Sequence, residues 1–247
     1  MRRSGFSLVE LLVVVSVLAV LGALTAPALR DALAASRAAA CASNLRQMHA
    51  AFMLYLADHE NRLFPFMERV DGQRLWYWGL ELGYGAEGAR VLDRSQARLA
   101  PYLPAGSVEM CPSFPYRDSL TKQKFAVTSY GYGLNHYLLL NKTPPGPQRI
   151  THFSSVTKPG DTILWGDSAQ VNTIQAPASP TRPMIEEWYY LSHQEPTYHF
   201  RHGGNAQVVM CDGAVRRLPP NRLLSACDGR VGHLEPSGAN RFLAPVR

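Results

Sequence analysis

With 247 residues, 46% of them apolar and 18% charged, the chain can bury one core and falls outside the disordered class. A net charge of +6 raises the question of a nucleic-acid partner, but the 25 Lys and Arg are scattered, with Arg2-Arg3 and Arg216-Arg217 the densest clusters. No basic stripe alternates with aromatics, so no nucleic acid is expected, and the lack of a repeating period excludes solenoids and propellers. The first element is an apolar run, residues 6–29, whose single formal charge is Glu10. As a helix its ~24 residues reach ~36 Å, enough to cross a hydrocarbon core of ~30 Å. Arg2 and Arg3 in front, with the long remainder behind, put the N-terminus in the cytoplasm and the body outside the inner membrane. A cleaved secretory signal is the rival, because Ala26-Pro27-Ala28 has a small-x-small form. Against it stand Pro27, inside the would-be site, and Glu10, since a carboxylate costs ~2.5–3.5 kcal/mol near a bilayer centre. A lipoprotein reading at Cys41 fails because that residue lies too far beyond the run.

An acid in a membrane helix is a residue in search of a partner. The stretch Gly5-Phe6-Ser7-Leu8-Val9-Glu10-Leu11-Leu12-Val13 resembles the type IV prepilin signature shared by type IV pilins and the pseudopilins of type II secretion systems. The resemblance implies cleavage after Gly5 by a prepilin peptidase and N-methylation of Phe6. It maps the family's acidic residue onto Glu10 and its helix proline onto Pro27. The new amino group at Phe6 would lie at the membrane surface, where staggered helices in a filament let it meet the Glu10 carboxylate of a neighbouring subunit. Each buried charge would then have a partner that only assembly supplies; removing one partner of such a pair typically costs ~3–5 kcal/mol.

Residues 32–61 contain no Pro or Gly, and Leu33, Cys41, Leu45, Met48, Phe52 and Leu56 recur at spacings that predict an apolar helix face. Arg37, Asn44, Gln47, Ala51 and Asp58 are expected on the other faces. The helix is thus expected to run on from the membrane through residues 30–60, ~80 Å in all, with Gly22 and Pro27 as bending or melting points and Asn61-Arg62 and Phe64-Pro65 as its end. Beyond it, "LWYWGLELGYG" reads as a mixed buried segment. "SYGYGLNHYLLL" reads as a bend at Gly131 and Gly133 followed by a strand, and "DTILWGD" as a strand ending at Asp167. Residues 143–148 and 176–183 are Pro-rich surface loops.

The strongest local signal is "HGGNAQVVMCDGAVRRL". Residues 205–211 and 214–218 are β-rich runs separated by Asp212-Gly213, the chemistry of a two-residue type I′ hairpin turn. His202, nine residues, then Asp212-Gly213 also resembles the H-x9-DG motif found near the C-terminus of many prepilin-type proteins. Cys41 with Asn44-Leu45-Arg46-Gln47, Phe64-Pro65, Cys111-Pro112-Ser113 and Thr128-Ser129-Tyr130 fit the same group. Cys211 before the turn and the tail 221–247 depart from it.

Enzymatic arrangements are weaker. His193, His199 and His202 with Asp212 suggest a metal cluster, and Ser192-His193 with Asp167 a triad, but neither has the spacing of a known site. His202 and Asp212 are read as hairpin-stabilising, no metal or cofactor is expected, and the calcium loop of major pseudopilins is not carried over. The four cysteines permit three full pairings. Cys41 with Cys111 and Cys211 with Cys227 is one; free buried thiols are the alternative.

The expectation is an α+β, pilin-like fold: a long N-terminal helix, half membrane-spanning and half amphipathic, packed on a C-terminal antiparallel sheet. It comprises a leader (1–5), a transmembrane helix (6–29), its continuation (30–60) and an extracytoplasmic domain (61–247). The expected function is a non-enzymatic subunit of a secretion or pilus-like filament, with the prepilin peptidase, other pilin-like subunits and the inner membrane as partners. A membrane-tethered hydrolase or ligand-binding protein is the alternative, and these residues do not separate secretion pseudopilin from minor pilin.

Overall fold

The structure, a computed structural model, describes residues 7–65, 67–83, 85–104, 108, 110–127, 131–138 and 152–235. The segment 128–130, the loop 143–148 and the end of the tail, 236–247, lie outside them.

A single helix, α1, runs Leu8–Asp58, passing through Gly22 and Pro27 without a break. Its start is a capping box that the sequence spells as Ser-x-x-Glu: the Ser7 hydroxyl accepts from the Glu10 N–H, and the Glu10 carboxylate accepts from the Ser7 N–H. It ends at His59, followed by Glu60 and Asn61 in the left-handed region. The two halves differ in what they touch. Large side chains between Leu8 and Leu29 are exposed, from 48% at Val14 to 83% at Leu8, whereas Cys41, Leu45, Met48, Phe52 and Leu56 are 0–2% exposed. The first half therefore projects from the folded body as an apolar rod. The packed face is wider than its spacing predicts. Asn44 and Ala51, placed above on solvent faces, are buried, and Leu33 is half exposed. A helix pressed against a sheet buries more than one narrow stripe, and Asn44 is accommodated because its amide donates to the Tyr132 hydroxyl.

The largest sheet among the described residues has five strands: β1 (Tyr132–Asn135), β2 (Ile163–Asp167), β3 (Tyr190–Leu191), β4 (Ala206–Met210) and β5 (Val215–Leu218), in the order β3-β1-β2-β4-β5. All pairings are antiparallel except β3 with β1, which is parallel and makes that edge mixed. Every residue of β2 and β4 is buried, because the sheet is covered on both faces. One cover is α1, with Phe52 edge-on to Trp165 at 5.2 Å. The other is the segment carrying Tyr198 and Phe200, packed on Val208 and Met210. Smaller sheets surround this core, including a four-stranded meander from Met67–Val70 to Val91–Asp93 that turns at the buried Tyr77 and Trp78.

The β4–β5 hairpin forms, but not with the expected turn. Ala206 pairs with Leu218 and Val209 with Val215, the Met210 N–H donates to Ala214, and the Gly213 N–H donates to Met210. The loop is therefore the three residues Cys211-Asp212-Gly213. Only Gly213 has positive φ, +90°, where a type I′ turn needs two such residues. This is a type I turn closed by a glycine bulge, which lets Asp212 keep ordinary φ while its carboxylate accepts from the Ala214 N–H.

Candidate functional site

Two regions carry the residues singled out above: the start of α1 and a buried polar centre where α1, β2 and the approach to β4 meet.

At the first, Gly5 and Phe6 lie outside the described residues. Glu10 is described. Its carboxylate is exposed and hydrogen-bonded to the Ser7 N–H at 2.9 Å, so within one subunit the charge is held by the helix cap. This local partner is legible in the sequence as the Ser7–Glu10 spacing. One hydrogen bond leaves most of a carboxylate's accepting capacity available to a second, cationic group.

The second region centres on Asp167, at the end of β2. Its Oδ1 lies 2.7 Å from Arg201 Nη2, and its Oδ2 accepts from the Gln207 N–H at 2.7 Å and lies 3.2 Å from His202 Nε2. Burial pushes the Asp167 carboxyl up, but Arg201, His202 and the Gln207 N–H outweigh it, so the group stays below the ordinary carboxylate range. Arg201 also donates to the carbonyls of Gly131 and Ser168 and to Cys111 Sγ, which accounts for its complete burial as a cation. His199 completes the row. Its Nε2 is 3.0 Å from Asp228, and burial, reinforced by Arg201 and opposed by Asp228, lowers it to about 4, so it is neutral at pH 7.

The helix is tied to this centre. A disulfide joins Cys41 of α1 to Cys111, 70 residues apart, and the Gln207 amide donates to the Ala38 carbonyl. Closing a loop of that length removes roughly 4 kcal/mol of chain entropy from the unfolded state. Cys211 and Cys227 remain free thiols, so the second pairing considered above does not form. Cys211 is instead buried beside α1, its carbonyl 3.2 Å from His49 Nε2.

His202 and Asp212 act apart. His202 pairs with Asp167 and brings Nε2 to 3.5 Å from Cys111 Sγ, while Asp212 stays in its own turn. The four-residue metal cluster is likewise dispersed: His193 bonds the Tyr137 hydroxyl, His199 Asp228, and His202 Asp167. The triad fails on the same distances, since Ser192 accepts from the N–H groups of Gln194 and Glu195. Cys41, Cys111 and His202 place three ligand atoms within 4.8 Å of one another, but bonded sulfurs offer no thiolate. Arg201 was not anticipated; its signal was an arginine beside His202, shortly before the buried strand β4.

Residues 1–26 match the family model of the prokaryotic N-terminal methylation motif, the type IV prepilin-like signal. The match ends before the packed half of α1, so the likeness of residues 202–213 to the H-x9-DG motif rests on those residues alone. No curated protein and no solved structure matches the chain.

Proposed function

We propose that this chain is a pseudopilin-like structural subunit of a type II secretion or type IV pilus-like filament, with no catalysis of its own. A prepilin peptidase cuts it between Gly5 and Phe6 and methylates Phe6. The mature protein crosses the inner membrane once, with its N-terminus cytoplasmic and residues 61–247 periplasmic, until α1 is drawn into a filament. The observation that carries this reading is the methylation motif on a helix whose first half is apolar, exposed and continuous with a half welded to the domain. Such a rod has two places to bury itself, the bilayer and a bundle of identical rods. The Cys41–Cys111 bridge, the His49 contact and the Gln207 bond support it further, because a helix that transmits assembly forces to its domain must be fixed there.

The test is the mature N-terminus. Co-expressed with a prepilin peptidase and extracted from membranes, the protein is expected to begin at N-methylated Phe6 by intact-mass analysis, and Gly5→Val to keep its leader. A mature protein starting near Leu29 or Asp31 would instead make this a secretory signal and end the filament reading.

A further inference from the structure

A cavity of about 350 Å³ lies beside α1 where the helix first meets the domain. Its helix wall includes Ala34, Arg37 and Ala38, and Ala38 is the first α1 residue that the domain buries. The facing wall carries Arg201, Arg217 and Arg230, so among the described residues four arginines line the space and no carboxylate does. Two of the four are committed. Arg201 is paired with Asp167 at 2.7 Å and Arg230 with Asp228 at 2.9 Å. Arg37 and Arg217 are exposed, and neither side chain makes an ion pair or hydrogen bond to another described residue.

The height of this cavity follows from the helix. The apolar run ends at Leu29, and at ~1.5 Å per residue Ala34 stands ~8 Å and Arg37 ~12 Å farther along the axis. A bilayer of ~40–45 Å around a hydrocarbon core of ~30 Å leaves a headgroup layer of ~5–8 Å on each side, so the floor of the cavity stands at the outer rim of that layer. Helical side chains lean toward the helix N-terminus, here the membrane side, and Arg37 therefore reaches back toward the headgroups. Unpaired guanidiniums suit a phosphodiester, because each offers a fork of N–H donors to its oxygens. A zwitterionic headgroup brings an ammonium against the same arginines and is disfavoured. A nucleic-acid strand needs a basic groove with aromatic platforms along it, whereas this cavity is closed on one side by the alanines of α1.

We propose that this arginine-lined cavity holds the phosphodiester headgroup of an anionic phospholipid, from the leaflet on the domain's side, between Arg37 of α1 and Arg217 of β5. The inference rests on α1 crossing the membrane and goes beyond assembly. The bound lipid sets the height of the domain above the bilayer, and it is given up when the helix leaves for a filament.

The test uses the full chain in detergent with equal amounts of dioleoylphosphatidylglycerol and dioleoylphosphatidylcholine, and counts bound lipids by native mass spectrometry. Phosphatidylglycerol is expected to be retained at least about fivefold over phosphatidylcholine. Arg37→Gln with Arg217→Gln should abolish the preference. Arg46→Gln with Arg182→Gln, which removes the same charge from exposed positions outside the cavity, should keep it. Circular dichroism checks that both variants fold. Equal retention of the two lipids by the wild type would overturn the proposal without any variant. Displacement of the phosphatidylglycerol by equimolar inorganic phosphate or oligothymidylate, or full preference in the folded Arg37/Arg217 variant, would overturn it as well. The same spectrum gives the mass of the chain. A chain trimmed to about Asp31 would end the membrane reading and this inference with it, whereas an intact α1 without lipid preference would end this inference alone.

Discussion

At the scale of single residues, Gly213 shows how one backbone angle fixes a register. Its φ of +90° closes the three-residue loop, and a Cβ there would lie 3.0 Å from His49 Cε1, so a side chain meets both backbone strain and α1. Gly213→Val is expected to destabilise the domain by on the order of 1–3 kcal/mol, read from denaturant midpoints at unchanged slope. The need for glycine was legible in Asp212-Gly213, whereas the turn type was not: the same dipeptide serves a two-residue and a three-residue loop, and pairing across the strands decides between them. His202 teaches the opposite lesson. Its spacing to Asp212 drew attention to the hairpin, but the imidazole faces Asp167, a partner 35 positions earlier that only the sheet brings near. His202→Ala is therefore expected to lower the melting temperature by leaving Asp167 short of a partner, while a chelator leaves the wild type unchanged. A chelator-induced drop, restored by one metal and absent in the variant, would make this centre a metal site.

At the scale of elements, α1 was the most legible part of the chain, because long apolar periodicity survives whatever packs on it. Its faces were less so. Asn44 and Ala51 are buried since the sheet and the Cys111 segment wrap the helix, and polar or small residues at such positions give no signal in a one-dimensional pattern. The row of stacked rings formed by Trp76, Trp78 and Tyr189 was hidden for a related reason: "LWYW" and "EEWYY" lie more than a hundred residues apart and meet only through the meander and the edge of the main sheet. For the helix start, the capping box gives Glu10 two roles to separate. If the carboxylate served only as a cap, Glu10→Gln would keep the Ser7 bond in weakened form and cost assembly little. If it meets a neighbour's amine, both Glu10→Gln and Glu10→Leu are expected to insert and be cleaved normally yet lose most of the oligomer ladder on crosslinking in cells. A normal ladder from Glu10→Gln would sink the intersubunit pairing.

At the scale of the whole molecule, the buried ionisable groups set an acid limit on the fold. His199 is fully buried and lowered to about 4 from an ordinary value of 6.5, through burial first and Arg201 in addition, against the opposing pull of Asp228. An unfolded chain takes up a proton on this histidine as pH falls through ~6.5, while the folded chain resists until about 4, so stability is fully present above ~6.5 and is lost across that interval. At ~1.4 kcal/mol per unit the loss is on the order of 3 kcal/mol. Two carboxylates extend it. For Asp228, burial acts upward, but the hydrogen bond from His199 and the contacts of Arg230 bring it down to about 2, and Asp167 is also held below its usual range. Both favour the fold above ~4 and withdraw that support as pH falls further. The melting temperature, followed by circular dichroism, is therefore expected to be level above pH ~7, to decline from pH ~6.5 to ~4, and to fall again below it. His199→Gln should flatten the first decline and shrink the second, since Asp228 loses the histidine that holds it down and Asp167 keeps its own partners. A wild-type profile level from pH ~7 to ~4 would mean that His199 reaches its proton without unfolding, and that the polar centre joining α1 to the sheet is open to water.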